Sequence, residues 1–294
     1  MSFFDDASLA FLPSGAAGKD GKAYSIKPTD GTGDFTFSRG SNLAATRVGA
    51  DGLIEKGREN LLLQSNQFDT TWLNTSTTET GGQTGYDGSS DAWKIERVGT
   101  GGFIHQEISV SGVNTISVYA KAGTLDWMRL RVGGAPKNSR YFDLQNGTIG
   151  SDGIAPIDAK IEAVGTDGWY RCSITTNISI DRVYFYPVPN DGDISGTSGS
   201  IYIQSAQLEI GLAATDVIST GATTGKAGLL EDEPRFDYSG GATCPSLLLE
   251  PSRTQLFEQS EYFGGWSLNP SGISSIEPNY AISPEGVKNA YKVN

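Results

Sequence analysis

The stretch ISVYAKAGTLDWMRLRV, residues 116–132, decides the fold class. In its first half Ile116, Val118 and Ala120 alternate with Ser117, Tyr119 and Lys121. After a break at Gly123, Met128, Leu130 and Val132 alternate with Arg129 and Arg131. A period of two puts one set of side chains on each face of an extended chain. Each half therefore reads as a strand with one face toward a core and one toward water. Similar runs fill the chain from Arg58 to Leu212, with further strands expected around Tyr141–Leu144, Lys160–Val164, Tyr170–Ile174, Arg182–Tyr186 and Ser200–Leu208. Asn146-Gly147, between Phe142-Asp143-Leu144 and Thr148-Ile149, is the strongest local hairpin signal. No segment sustains a helical stripe. The expected architecture is all-β, a jelly-roll β-sandwich of about eight short strands.

Composition agrees with this. With 38 Gly, 12 Pro and 37% hydrophobic residues in 294, the chain supports one sizeable core or two small ones and little helix. Its 34 acidic and 22 basic residues give a net charge of -12, which repels phosphate, so nucleic acid is not an expected partner. The longest apolar run lies around Leu61–Leu63, far short of the roughly 20 residues that cross a bilayer, so no membrane insertion is expected. The start, Met1-Ser2-Phe3-Phe4-Asp5-Asp6, has no basic stretch and no long apolar core, so no signal peptide is read there and synthesis in the cytoplasm is expected. The two cysteines, Cys172 and Cys244, fall in different segments and are expected to be reduced thiols.

An internal repeat organises the chain. Arg58 is followed by Leu61-Leu62, Gln64-Ser65, Phe68 and Trp72; Arg253 is followed by Leu256-Phe257, Gln259-Ser260, Phe263 and Trp266. Downstream, Asp91-Ala92-Trp93-Lys94-Ile95 is echoed by Asn289-Ala290-Tyr291-Lys292-Val293. Matched order and spacing over this length imply a duplicated unit. Four regions follow: an extended segment 1–57, a sandwich 58–212, a connector 213–252 and the incomplete start of a second sandwich, 253–294. The first region is rich in Gly, Asp, Ser and Thr, with apolar pairs such as Leu9 with Phe11 and turn positions at Asp20-Gly21, Asp30-Gly31 and Asp51-Gly52. The short second copy has three explanations: a longer natural protein, completion by another chain, or packing on the first copy.

The segment from Asn60 to Gly211 resembles the carbohydrate-binding-like jelly-roll modules of bacteriophage tail and fibre proteins. The resemblance rests on Asn60-Leu61-Leu62 with Gln64-Ser65, on YAKAG at 119–123, on GWYRC at 168–172 and on AQLEIG at 206–211. The opening segment, with DGTGDFTFSRGS at 30–41, is similar to N-terminal regions of virion structural proteins. The resemblance implies a structural or adhesive virion protein, a tail fibre or related appendage. Its N-terminal part would be anchored to other phage structural proteins, its sandwich modules would serve as spacers or bind host cell-surface glycan, and it would form a homo-oligomer, a trimer by family analogy. The alternatives are a capsid-decorating head fibre protein and the secreted glycan-binding module of a depolymerase. Modules of this kind hold a structural calcium, for which Asp91 and Glu209 are the candidate ligands.

Sugar-binding sandwiches stack exposed aromatic rings on pyranose faces. The candidates on water-facing or edge positions are Tyr119, Trp127, Tyr184 and Tyr186, with Arg129 and Arg131 as hydrogen-bond donors to hydroxyls or acidic sugars. The competing reading is that these rings cover a sheet face or a subunit interface. Trp72, Trp93 and Trp169 recur at motif positions and read as packing residues. No catalytic residues are expected. The single histidine, His105, has no second imidazole beside it in sequence and no nucleophile elbow, and Gly99, Gly101 and Gly102 lack the Lys-Ser or Lys-Thr of a phosphate loop.

Overall fold

The computed structural model of the chain describes residues 3–11, 22–23, 25–43, 45–134, 136–241, 243, 246–251, 253–257, 259–267, 272 and 275–294. Cys244 and the Asp20-Gly21 turn lie outside the described residues. Contacts divide the chain into two units, one of Glu59–Gly225, Gln259–Ala281 and Lys288–Asn294, the other of Met1–Arg58, Lys226–Glu258 and Ile282–Val287.

The first of these is built on twelve strands. They are β1 (Leu73–Thr75), β2 (Thr77–Gln83), β3 (Ala92–Arg97), β4 (Phe103–Val110), β5 (Val113–Ala122), β6 (Trp127–Val132), β7 (Ser139–Asp143), β8 (Thr148–Asp152), β9 (Asp158–Val164), β10 (Trp169–Asn177), β11 (Ile180–Val188) and β12 (Gly199–Ile210). They form two six-stranded antiparallel sheets, ordered β9-β10-β5-β12-β3-β2 and β8-β7-β6-β11-β4-β1. The chain changes sheet between β1 and β2, β3 and β4, β4 and β5, β5 and β6, β8 and β9, β10 and β11, and β11 and β12, giving a jelly-roll β-sandwich. Every strand expected from the sequence is present, and β7 and β8 are joined through Asn146-Gly147, where Gly147 has φ 65°.

The core is the inward set of the alternation. Ile116, Val118 and Ala120 of β5 face Met128, Leu130 and Val132 of β6, with Ile174, Phe142, Phe185 and Leu208 closing the layer, all at 1% exposure or less. Each of these side chains larger than alanine contributes about 1.5–3 kcal/mol by leaving water. The GWYRC motif splits between faces, with Cys172 inside the core, where burial pushes its thiol pKa up, and Trp169 on the outer face. A bulge in β12, with Ser205 at φ 52°, shifts the register against β5.

The repeated opening motif fastens this unit. Asn60 is fully buried; its Nδ2 donates to the carbonyls of Ala206 (3.1 Å) and Ile218 (2.9 Å), and its Oδ1 accepts from the amides of Leu62 and Leu208, both 3.1 Å. Residues 213–225 belong with the sandwich, where the sequence reading has a connector. Leu212, Ala213 and Ile218 are buried, and the Ile218 amide donates to Gln207 Oε1 at 2.7 Å.

The second copy repeats the geometry of the first. Gln64 and Gln259 both have positive φ, 50° and 54°, and accept at their carbonyls from the indoles of Trp72 and Trp266, both at 3.2 Å. Phe68 lies 5.1 Å from Trp72 and 6.2 Å from Trp93; Phe263 lies 5.0 Å from Trp266 and 5.3 Å from Tyr291. The hairpin of β2 and β3 has its counterpart in β13 (Ile276–Ile282) and β14 (Lys288–Val293). The copies differ in burial. Trp72 is 4% exposed and Trp266 42%, because β3 is flanked by β12 whereas β14 pairs with β13 alone among the described residues. The stem of the second hairpin lies against β9: Asn279 Nδ2 donates to Asp158 Oδ2 at 2.7 Å, and Lys160 Nζ donates to the Lys288 carbonyl at 3.1 Å. These contacts join the second hairpin to the first copy.

The other unit is built from short ribbons, among them Thr46–Val48 paired with Ile54–Lys56. Its positive-φ glycines include Gly31 and Gly52 in the expected turns. Of residues 226–252, read from sequence as connector, residues 230–235 serve here as a strap. The Arg39 amide donates to the Glu231 carbonyl (3.0 Å), its guanidinium to the carbonyls of Glu233 (2.6 Å) and Leu230, and Arg235 Nε to the Thr46 carbonyl (3.0 Å). Leu229 and Phe236 supply the buried apolar side chains.

Candidate carbohydrate-binding face

The outward set of the β6 alternation is Trp127, Arg129 and Arg131, and antiparallel register extends it across the sheet. Arg129 stands opposite Tyr141 of β7 on one side and Tyr186 of β11 on the other. Arg131 stands opposite Ser139 and Tyr184, and Tyr184 in turn opposite His105 of β4. Directly opposed side chains in such a sheet lie about 4.5–5.5 Å apart, close enough to touch. The result is a continuous layer of rings and guanidiniums.

Its contacts are specific. The Arg131 guanidinium carbon lies 4.5 Å from the centre of the Tyr184 ring, and Nη1 donates to Tyr186 Oη at 3.1 Å. The Arg129 guanidinium carbon lies 5.4 Å from the Tyr141 ring and 5.5 Å from that of Tyr186, and Nη2 donates to Ser139 Oγ at 3.1 Å. Tyr184 stacks on His105 at 5.4 Å and on Tyr186 at 5.9 Å, and Phe103 meets Tyr186 at 4.8 Å. Burial pushes the His105 pKa down, assisted by the Arg182 charge, which favours the neutral imidazole. Burial pushes the Tyr141 phenol up against the opposing pull of Arg129.

Of the six residues singled out in the sequence, five meet on this face: Trp127, Arg129, Arg131, Tyr184 and Tyr186. The sixth, Tyr119, is on the outer face of the other sheet, stacked on Tyr86 at 3.8 Å beside Trp169 and under the Arg171 guanidinium at 5.3 Å. The expected water-facing tyrosines need correction. Tyr184 is 7% exposed, Tyr186 6% and Tyr119 9%, because each ring is roofed by a guanidinium or flanked by other rings. Trp127, Arg129, Arg131, Phe103 and His105 remain half-buried and reachable from solvent. Tyr141 and Phe103 were not singled out in sequence, and His105 was weighed only as a lone imidazole. What joins them is strand pairing, and the odd-numbered alternation of β4 and β7 is the signal that places them on the outward face.

The two calcium candidates do not come together. Asp91 Oδ1 accepts from Gln204 Nε2 at 2.6 Å and from the Ser89 hydroxyl. Glu209, 1% exposed, accepts from Gln207 Nε2 at 2.6 Å and from the amide and hydroxyl of Thr215. A calcium cage needs several oxygen ligands, whereas these carboxylates are engaged by N–H and O–H donors. The residues therefore do not fit that ion, and no cluster of three or more His, Cys, Asp or Glu suited to a metal occurs among the described residues.

No protein-family model matches the chain, and no curated protein does. Among solved structures it is similar to the enzymatically active domain of tailspike protein 4 of bacteriophage CBA120, with 17% identity and a TM-score of 0.30, over 51% of this chain and 21% of that one. It is similar to TmCBM61 in complex with β-1,4-galactotriose, with 13% identity and a TM-score of 0.31, over 51% of this chain and 97% of that one. A variant of CBM29-2, a family 29 carbohydrate binding module, gives 12% identity and a TM-score of 0.30 over 52% and 89%.

Proposed function

We propose that this chain is a structural and adhesive component of a bacteriophage particle, a tail fibre or related appendage, whose sandwich holds host-surface glycan on the outer face of β6, β11 and β4. The observation that carries the glycan-binding part is the half-exposed Trp127 beside two arginines whose orientation is fixed by Tyr141, Tyr184 and Tyr186. A sugar offers an apolar ring face and a rim of oxygens. This face offers an indole for the first and guanidinium N–H groups for the second. The virion role is supported by the resemblance of residues 30–41 and 60–211 to virion proteins, and in this reading the N-terminal unit contacts other particle proteins. Binding here requires no bond-making chemistry, so the role is non-catalytic.

Two measurements test the proposal. Purified, washed phage particles are expected to contain the chain in a fixed multiple per particle. On a panel of bacterial surface polysaccharides the full chain is expected to retain at least one, and Trp127→Ala to weaken that binding about tenfold or more, the scale of a lost hot-spot aromatic. Absence from washed particles overturns the virion role. A panel without a binder, or Trp127→Ala binding as tightly as the parent, overturns the glycan role.

A further inference from the structure

We infer that the glycan this face selects is acidic, and that Arg129 and Arg131 hold its carboxylates. The inference rests on the glycan-binding reading of the same face. Three observations carry it. The rings that would stack on a neutral sugar are covered, since Tyr141, Tyr184 and Tyr186 are 5%, 7% and 6% exposed. The arginines that cover them are half-buried. Their position over the rings, with the hydrogen bonds to Ser139 and Tyr186, fixes the guanidiniums before any ligand arrives, which reduces the ordering cost of a flexible basic side chain.

The second observation is charge. The chain is acidic, -12 overall, yet neither Arg129 nor Arg131 has a carboxylate at ion-pairing distance among the described residues; their named partners are Ser139 Oγ and Tyr186 Oη. The carboxylates of the neighbourhood are otherwise engaged. Glu107 pairs with Arg182 at 3.0 Å and Asp152 with Arg140 at 3.3 Å; Asp143 accepts from the amides of Gln145 and Asn146, and Asp191 from Ser151. Arg129 and Arg131 are two residues apart on one strand, so their like charges lie on one face about 7 Å apart. An anion between or above them relieves that repulsion.

The third observation is polar and buried. Arg129 Nε is buried without a hydrogen-bond partner in the sheet's outer layer. A fork-shaped carboxylate matches the guanidinium geometry. Trp127, next along β6, places an apolar ring surface beside the anion site, which fits a sugar acid better than a simple anion.

The test compares polygalacturonate with its fully methyl-esterified form, the same backbone without charge, using the full chain in a titration calorimeter. Polygalacturonate is expected to bind at least tenfold more tightly, and added salt to weaken it. Arg131→Gln and Arg129→Gln are expected to lose about tenfold each on the acid and little on the ester. Arg131→Lys, which keeps the charge and the stem but not the fork, is expected to fall between, provided its thermal midpoint matches the parent. Equal binding of acid and ester, or binding unmoved by Arg131→Gln in a folded variant, overturns the inference and leaves the glycan reading intact. A drop in oligomer mass in Arg131→Gln also overturns it, by assigning the arginines to carboxylates of a second copy. Failure of both polymers and of every polysaccharide in the wider panel overturns both readings.

Discussion

Tyr86 carries the clearest pH signature among single residues. It stacks on Tyr119 at 3.8 Å and meets Trp169 edge-on at 6.4 Å, and burial, then the neighbouring Tyr119 and Asp87, pushes its phenol up from 10.0 to about 12. A raised pKa means the folded chain keeps a proton that the unfolded chain gives up. The stabilisation is therefore complete below pH 10 and is lost as the pH rises toward about 12. Urea midpoints followed across that window are expected to fall, and Tyr86→Phe to fall less steeply, with a remaining slope from Tyr291, whose phenol burial also raises to about 12, and from the buried Cys172 thiol, which burial pushes up in the same sense. A Tyr86→Phe profile parallel to that of the parent contradicts this assignment. At this scale the sequence conveys side-chain chemistry but not burial. Tyr119 and Tyr184 sit at polar positions of their strands by period, yet both end up covered, since what covers them, Arg171 and Arg131, comes from strand pairing or the same layer.

At the scale of elements, period-two alternation was enough to place β5, β6, β7, β9, β10, β11 and β12, because each carries a clean apolar face. The pairing order across each sheet was not legible, since alternation is the same whichever neighbour a strand has. Nor was the strap at 230–235, whose attachments run largely through backbone carbonyls and leave no side-chain pattern. The internal repeat, by contrast, was legible residue by residue, and its two copies now predict an asymmetry. Trp72 is held between Phe68 at 5.1 Å and Phe185 at 5.4 Å, so Trp72→Ala is expected to cost about 3–5 kcal/mol. Trp266 makes the same indole hydrogen bond but is 42% exposed, so Trp266→Ala is expected to cost about 1 kcal/mol or less. Equal losses in a denaturant titration would mean that the second copy has a core of its own in solution.

For the molecule as a whole, an acidic chain presents one outer sheet face on which rings, an imidazole and two guanidiniums without an ion-paired carboxylate among the described residues are brought together from β4, β6, β7 and β11. Much of that face was readable in sequence, because Trp127, Arg129 and Arg131 share one strand and Tyr184 and Tyr186 share another. The rest required the register that sets Tyr141 and His105 beside them. Hydrogen exchange of the full chain, with and without polygalacturonate, tests the central claim most directly. The account predicts slower exchange in β6, β11 and β4 on adding the polymer, with β2 and β9 unchanged. Protection confined to β9, β10 and β5, the sheet that carries Tyr119, would contradict it.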